Sequence, residues 1–253
     1  MIDIDISNAL LYYENMLRKI IVSTIAWSMA AALTVVLYFI ILTVVMLFPF
    51  DRDRRRAHAW CYLWSDLIIA SNPFWKIKIS GLENIDRNKT YVIVANHQSL
   101  ADIVILYQIK TQFKWVAKDS LFTVPFIGWS LSLCKHIRIA RGRLGSIKEV
   151  YGEARGWLRK GMSVLFFPEG TRSETGEMRA FQNGAFKLAI KEKTPVLPIL
   201  VEGTGSAIPK GSWLFEPQEP SRIKVLRAID TSGLQDADFA RLRDMTRSML
   251  ESA

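Results

Sequence analysis

The sequence predicts an α/β protein: a mostly parallel central sheet flanked by helices, preceded by an N-terminal hydrophobic membrane helix and an interfacial helix. Three observations carry that prediction. Strand-like and helix-like runs alternate from residue 91 to the C-terminus, the pattern of βαβ units. Polar clusters follow directly on three of the strand-like runs, where such sheets bind ligands. Residues 20–50 contain no charged side chain, and roughly 20 apolar residues suffice to cross a bilayer.

The hydrophobic run comes first. It is too long for a secretory signal core, and no small-residue cleavage site follows it. Arg18 and Lys19 precede it; Arg52, Arg54, Arg55 and Arg56 follow. The denser basic flank is expected to stay cytoplasmic. The expected location is therefore the cell (inner) membrane, with everything after residue 51 on its cytoplasmic face. Because both flanks are basic, a helix lying in the interface is an open alternative to a spanning one. Residues 57–79 hold Trp60, Tyr62, Trp64, Phe74 and Trp75. Such rings favour either the lipid–water boundary or a protein core, and 57–70 reads as an interfacial helix. The expected organisation is an anchor at 1–56, an interfacial aromatic segment at 57–79 and one α/β domain at 80–253.

Within that domain, 91–95 (YVIVA) is a β-branched strand run. Residues 101–108 read as helix, and 113–117 and 137–140 as strands. A helix over 147–160 is closed by Gly161, a residue suited to the position after a helix end. Residues 164–167 (VLFF) form a buried strand. A helix over 184–193, strands at 196–201 and 223–229, and a final helix over 237–251 complete the chain.

The 33 basic and 24 acidic residues give a net charge of +9. A basic surface attracts phosphorylated ligands and anionic lipid. No nucleic-acid-binding motif is present, so nucleic acid is not expected as a partner. Cys61 and Cys134 form no CxxC or CxxH pattern, which argues against a disulfide framework or a metal site.

The polar clusters at strand ends carry the chemistry. His97 follows the first strand run, with Asp102 five positions on. Histidine is the usual general base near neutral pH, and a carboxylate on one ring nitrogen fixes its tautomer. Ser99-x-x-Asp102 also reads as a capping box for the following helix. No G-x-S-x-G nucleophile elbow occurs, so the base is expected to activate a substrate hydroxyl or water. In "FFPEGTRSETG" (166–176), Pro168 and Gly170 make a turn. Arg172 there suits phosphate, which arginine binds bidentately; a solvated loop is the plainer reading. "GTGSAI" (203–208) lacks the last glycine of a dinucleotide loop and is discounted. "KHIRIARGRLG" (135–145) places Arg141 and Arg143 on one strand face, as either a phosphate site or a solvated basic edge.

"NHQSLAD" (96–102) resembles the H-x4-D block of the glycerophospholipid acyltransferases, and "FPEGTRS" (167–173) resembles their E-G-T-R block. "AKDSLFTVPFIG" (117–128), "FQNGAF" (181–186) and "PVLPI" (195–199) resemble further blocks in the same order. The set is most similar to the bacterial 1-acylglycerol-3-phosphate branch. The resemblance implies an acyl-CoA or acyl-carrier-protein donor, a lysophosphatidate acceptor and no cofactor. It implies that His97 takes the hydroxyl proton, that Asp102 orients it and that Lys118 stabilises developing charge. Arg141, Glu169, Gly170, Thr171 and Arg172 would bind the acceptor. One departure stands out: the residue before Arg141 is Ala140, where the family carries an acid. A lysolipid without phosphate, such as lyso-ornithine lipid, is the alternative acceptor; a non-catalytic lipid binder on the same fold is the alternative outside enzymes.

Overall fold

The computed structural model describes residues 6–140, 144–173, 175–215 and 220–253. Eight α-helices and seven strands are described: α1 (Ile6–Leu47), α2 (Arg55–Ala70), β1 (Ile77–Ser80), β2 (Val92–Ala95), α3 (Ala101–Leu106), β3 (Phe113–Lys118), α4 (Ile127–Leu133), β4 (Ile137–Ile139), α5 (Leu144–Arg159), β5 (Ser163–Phe166), α6 (Gly184–Lys191), β6 (Val196–Glu202), α7 (Thr204–Ala207), β7 (Ser221–Val225) and α8 (Phe239–Glu251). The strands form one sheet in the order β1-β7-β6-β2-β5-β3-β4. Every neighbouring pair is parallel except β6–β7.

β2 shows why this sheet needs two helical layers. Its four residues are all buried, and successive side chains of a strand point to opposite faces. Ile93 and Ala95 join the core beneath α2 and α3. Val92 and Val94 join the core formed with α5, α6 and α8. A sheet buried on both faces reads as a continuous apolar run.

The sequence pattern does not mark three of these elements: β1, α4 and the short α7. β1 pairs with β7 from Ile77↔Ser221 to Ser80↔Lys224, so the boundary expected at 79/80 falls within a strand. α4 occupies a stretch in which no element is expected. The strand expected at 223–229 instead ends at Val225, and Ile229 makes an isolated bridge to Val196.

α1 does two jobs along one length. Its inner face packs on α2, where Trp64 donates to Thr34 at 3.2 Å. Its Tyr38 ring meets Phe126 and Trp129 at 5.6 and 5.3 Å between centroids. Nearer the N-terminus, Ser23 accepts the Phe215 amide at 2.7 Å and Trp27 donates to the Trp213 carbonyl at 2.6 Å. The other face leaves Ile21, Ile25, Met29, Val36 and Phe39 exposed. Only 17% of its most apolar stretch is buried, far below a soluble core helix. The helix therefore suits membrane association. α2 is divided likewise: Ala57, His58, Cys61, Ser65 and Ile68 are buried, while Trp60, Leu63 and Leu67 are exposed.

Candidate active site

The site is assembled by three loops that leave adjacent strands at their carboxyl ends: after β2, after β5 and after β6. Asn96 begins it. Its side chain donates to the Val201 carbonyl at 2.8 Å and accepts the Val201 amide at 2.7 Å, extending the β2–β6 pairing one step past the strand. His97 is thereby delivered at the rim of the sheet.

The His97 backbone is held from the β5 side. Glu169 accepts the His97 amide on Oε1 at 2.8 Å and the Arg179 amide on Oε2 at 2.9 Å. The Ser173 amide donates to the His97 carbonyl at 2.9 Å. Glu169 is 5% exposed. Burial pushes its carboxyl upward, opposed by these two amides and by His97. Each oxygen thus holds a main-chain amide, which ties the His97 loop to the segment at Arg179. Phe167 stacks on the His97 ring with centroids 3.9 Å apart and planes 12° apart.

Nδ1 of His97 lies 2.7 Å from Asp102 Oδ2. The same oxygen accepts the amides of Gln98 at 2.7 Å and Ser99 at 3.0 Å. Half of the expected capping box is present: Asp102 takes the Ser99 amide, while the Ser99 hydroxyl accepts the Ala101 amide at 3.3 Å rather than that of Asp102 and donates to the Ile208 carbonyl at 2.9 Å. Asp102 therefore serves both the helix start and the histidine. A carboxylate on Nδ1 puts the ring proton there and leaves the Nε2 lone pair free.

His97 opens on a cavity of about 720 Å³. Lys118, Thr171 and Arg172 line it beside His97. Its remaining walls are largely apolar and come from α1 (Ala30, Leu37), α2 (Trp64, Ile68) and the β3–α4 region (Leu121, Phe126). Among the described residues, Lys118 and Arg172 make no ion pair and no side-chain hydrogen bond, so both charges are available to a ligand. Gly170, with φ +71°, closes the turn that presents Thr171 and Arg172, its amide on the Phe167 carbonyl at 3.1 Å. Arg141 lies outside the described residues. Among those described, no group of three or more His, Cys, Asp or Glu side chains is placed to hold a metal ion.

Three contributors are not evident from the sequence. Asn96 and Phe167 lie inside quoted motifs but carry no chemical signal of their own. Thr204 lies in the third strand-end cluster, and its hydroxyl is 2.5 Å from Asp102 Oδ1.

Residues 76–202 match the family model described as Acyltransferase. The chain is 40% identical over 188 residues to a 1-acyl-sn-glycerol-3-phosphate acyltransferase of Chlamydomonas reinhardtii, covering 74% of this chain and 56% of that one. It is 35% identical over 178 residues to the Pseudomonas aeruginosa protein of the same name, covering 69% and 67%. The chain spans about half the length of the first curated relatives it matches. The crystal structure of a 1-acyl-sn-glycerophosphate acyltransferase from Thermotoga maritima superposes with a TM-score of 0.74, at 24% identity over 94% of this chain and 98% of that one; that likeness is one of fold.

Proposed function

The chain belongs to the acyltransferase family, and from that premise we propose that it transfers a fatty acyl group from an acyl thioester to the free hydroxyl of lysophosphatidate, giving phosphatidate. The observation that carries this reading is the pairing of His97 and Asp102 beside a largely apolar cavity that also presents Lys118 and Arg172, which form no ion pair among the described residues. A lysolipid needs those three things: a base for its hydroxyl, an apolar channel for its chain and positive charge for its phosphate.

In the proposed mechanism, Nε2 of His97 takes the acceptor's hydroxyl proton as the oxygen attacks the thioester carbonyl. Asp102 holds the ring and offsets the imidazolium charge. The tetrahedral intermediate collapses, the C–S bond breaks, and the proton on Nε2 passes to the departing thiolate. Arg172 and Thr171 take the acceptor phosphate, and Lys118 faces the charge that builds on the carbonyl oxygen. A preorganised cation is effective there because it needs no reorganisation as charge develops. Glu169 and Gly170 shape the loop that holds His97 and presents Arg172. Arg141 is kept as a further phosphate contact. The steps need only the two substrates, with acyl-CoA or acyl-carrier protein as donor.

Membrane association fits the same geometry, because α1 both exposes an apolar stripe and walls the cavity. A lysolipid then reaches His97 without leaving lipid. The basic residues Arg52, Arg54, Arg55 and Arg56 support a cytoplasmic face of the inner membrane.

The test is an acyl-transfer assay with membrane-extracted protein, lysophosphatidate and each donor. Phosphatidate is expected, with loss of activity in His97→Ala. Equal rates on a lysolipid lacking phosphate would overturn the acceptor assignment. Free fatty acid released without any lysolipid would make the protein a thioesterase.

A further inference from the structure

We propose that Thr204 is a positioning residue for the dyad, its hydroxyl fixing the carboxylate that orients His97; this rests on the reading of His97 as the base. Asp102 is completely buried. Its Oδ2 takes three contacts: His97 Nδ1 and the amides of Gln98 and Ser99. Its Oδ1 has one partner among the described residues, the Thr204 hydroxyl at 2.5 Å. That hydroxyl also lies 3.3 Å from Gln98 Oε1. It has one proton to give, and the nearer, charged acceptor takes it.

The consequence is geometric. A carboxylate held at one oxygen can turn about its bond to Cβ and exchange which oxygen meets which donor. Held at both, it is locked. With Oδ1 pinned, Oδ2 stays in the position where the His97 ring proton meets it, and the ring keeps Nε2 aimed at the cavity. Without the Thr204 hydroxyl, Oδ1 becomes a buried acceptor with no partner, a costly state that favours rearrangement. Thr204 is itself fully buried and does not line the cavity. Its effect must therefore pass through Asp102 and not through substrate contact.

The chain is built to deliver this hydroxyl. β6 ends at Glu202, and Gly203 turns the backbone with φ +74°. A Cβ at that position would lie 2.9 Å from the Pro220 carbonyl oxygen, so only glycine makes the turn without strain. Thr204 opens the next helix immediately. Two further ties bind this segment to the dyad loop: Asn96 to Val201 and Ser99 to the Ile208 carbonyl. The loop after β6 is thus the outer support of the dyad, where the sequence shows a polar cluster (EGTGS, 202–206) at a strand end.

Crossed substitutions separate the hydroxyl from the methyl group. Thr204→Val keeps the shape and removes the donor; Thr204→Ser keeps the donor and removes the methyl. Both are assayed as full-length, membrane-extracted protein with lysophosphatidate and a long-chain acyl thioester, and thermal unfolding reports the folded fraction. Thr204→Val is expected to lower kcat about 10–100-fold, the loss of a hydrogen bond to a charged group, with both KM values within about twofold of the parent. Thr204→Ser is expected to stay within about threefold in kcat. In an Asp102→Asn background, Thr204→Val is expected to add little, because residues acting through one another are non-additive. An active Val variant beside an impaired Ser variant would overturn the proposal in favour of packing. A full Val penalty in the Asp102→Asn background, or a loss confined to KM, would also overturn it. If His97→Ala retains activity, the base reading fails and this inference with it. If His97→Ala is inactive while Thr204→Val matches the parent, this inference alone fails.

Discussion

Two regions of the molecule hold all three histidines, and they treat the ring in opposite ways. His97 stands after β2, with Nδ1 on a carboxylate, a phenyl ring stacked on one face and Nε2 left to the cavity. His58 and His136 lie together, their centroids 5.8 Å apart, with His136 reaching a wall of the same cavity. His58 is wrapped by Tyr62, Tyr107 and Phe113 at 5.1–5.4 Å, and neither of its nitrogens has a hydrogen-bond partner among the described residues. Burial drives it down to about 3, aided by the charges of Lys114 and Arg55. Burial drives His136 down as well, and its Nδ1 accepts the Trp115 amide at 3.1 Å. These two rings are neutral and pack as aromatic side chains. Chemistry at a histidine therefore depends on what holds its nitrogen: a carboxylate on Nδ1 leaves His97 a lone pair on Nε2, whereas His136 spends its lone pair on the Trp115 amide.

The largest expected effect tests that contrast directly. His97→Ala should cost on the order of 10³-fold or more in kcat/KM, with unfolding temperature and membrane partitioning unchanged. Activity within tenfold of the parent would erase the distinction between the two regions. Next in size, Asp102→Asn should lower kcat by roughly 10²-fold or more, since the amide no longer balances an imidazolium. If this variant matches the parent in steady-state assays, the carboxylate partner is not what sets His97 apart.

Arg172→Ala sharpens the site side of the comparison. It should raise the KM for lysophosphatidate by about 10–100-fold, the range for a charged hydrogen bond, and leave the donor KM nearly unchanged. Equal rises in both would remove phosphate recognition from Arg172.

The smallest effect belongs to the buried pair. His58→Leu should leave kcat/KM within about twofold and raise stability at pH 7 by about 1 kcal/mol, because two unpartnered buried nitrogens disappear. The pH dependence has a definite sign. The folded value of about 3 lies below the ordinary 6.5, so on acidification the unfolded chain takes its proton first. The parent therefore loses stability as pH falls below about 6.5, and the loss is complete near 3. By pH 5 it should trail the variant by about 2 kcal/mol more than at pH 7. His136 is present in both proteins and is held down first by burial and next by His58, so the difference reports His58 together with its effect on His136. Denaturant midpoints at the two pH values measure it; parallel curves would mean that the ring finds a proton-accepting partner.

Much of this contrast is legible in the chain. His97 comes one residue after the end of VIVA and Asn96, at the carboxyl end of a parallel strand, while His136 comes immediately before IRI. His58 shares a helix face with Cys61 and Ser65, all buried. What was illegible has physical reasons. β1 is an edge strand with three of its four residues exposed, so it lacks the apolar run that marks β2 or β5. α4 has seven residues and buries only Gly128 within itself; its Trp129 meets Tyr38, and Phe126, just before the helix, meets Tyr38 and Phe39, both on α1 and far off in sequence. Glu169 reads as an acid beside an arginine, yet only the fold shows each of its oxygens holding a backbone amide.

The sequence by itself determined the alternation of strands and helices, the hydrophobic anchor, and the residue types at the strand ends. Those follow from local rules: side-chain period, charge-free length and turn chemistry. Only the tertiary structure decided the strand order, the one antiparallel pair, the role of α1 as a cavity wall, and the placing of Thr204 on Asp102. Each of those joins residues tens to hundreds of positions apart. Such contacts are chosen by how buried surfaces fit and by which polar groups find partners, and neither is written in any local stretch of the chain.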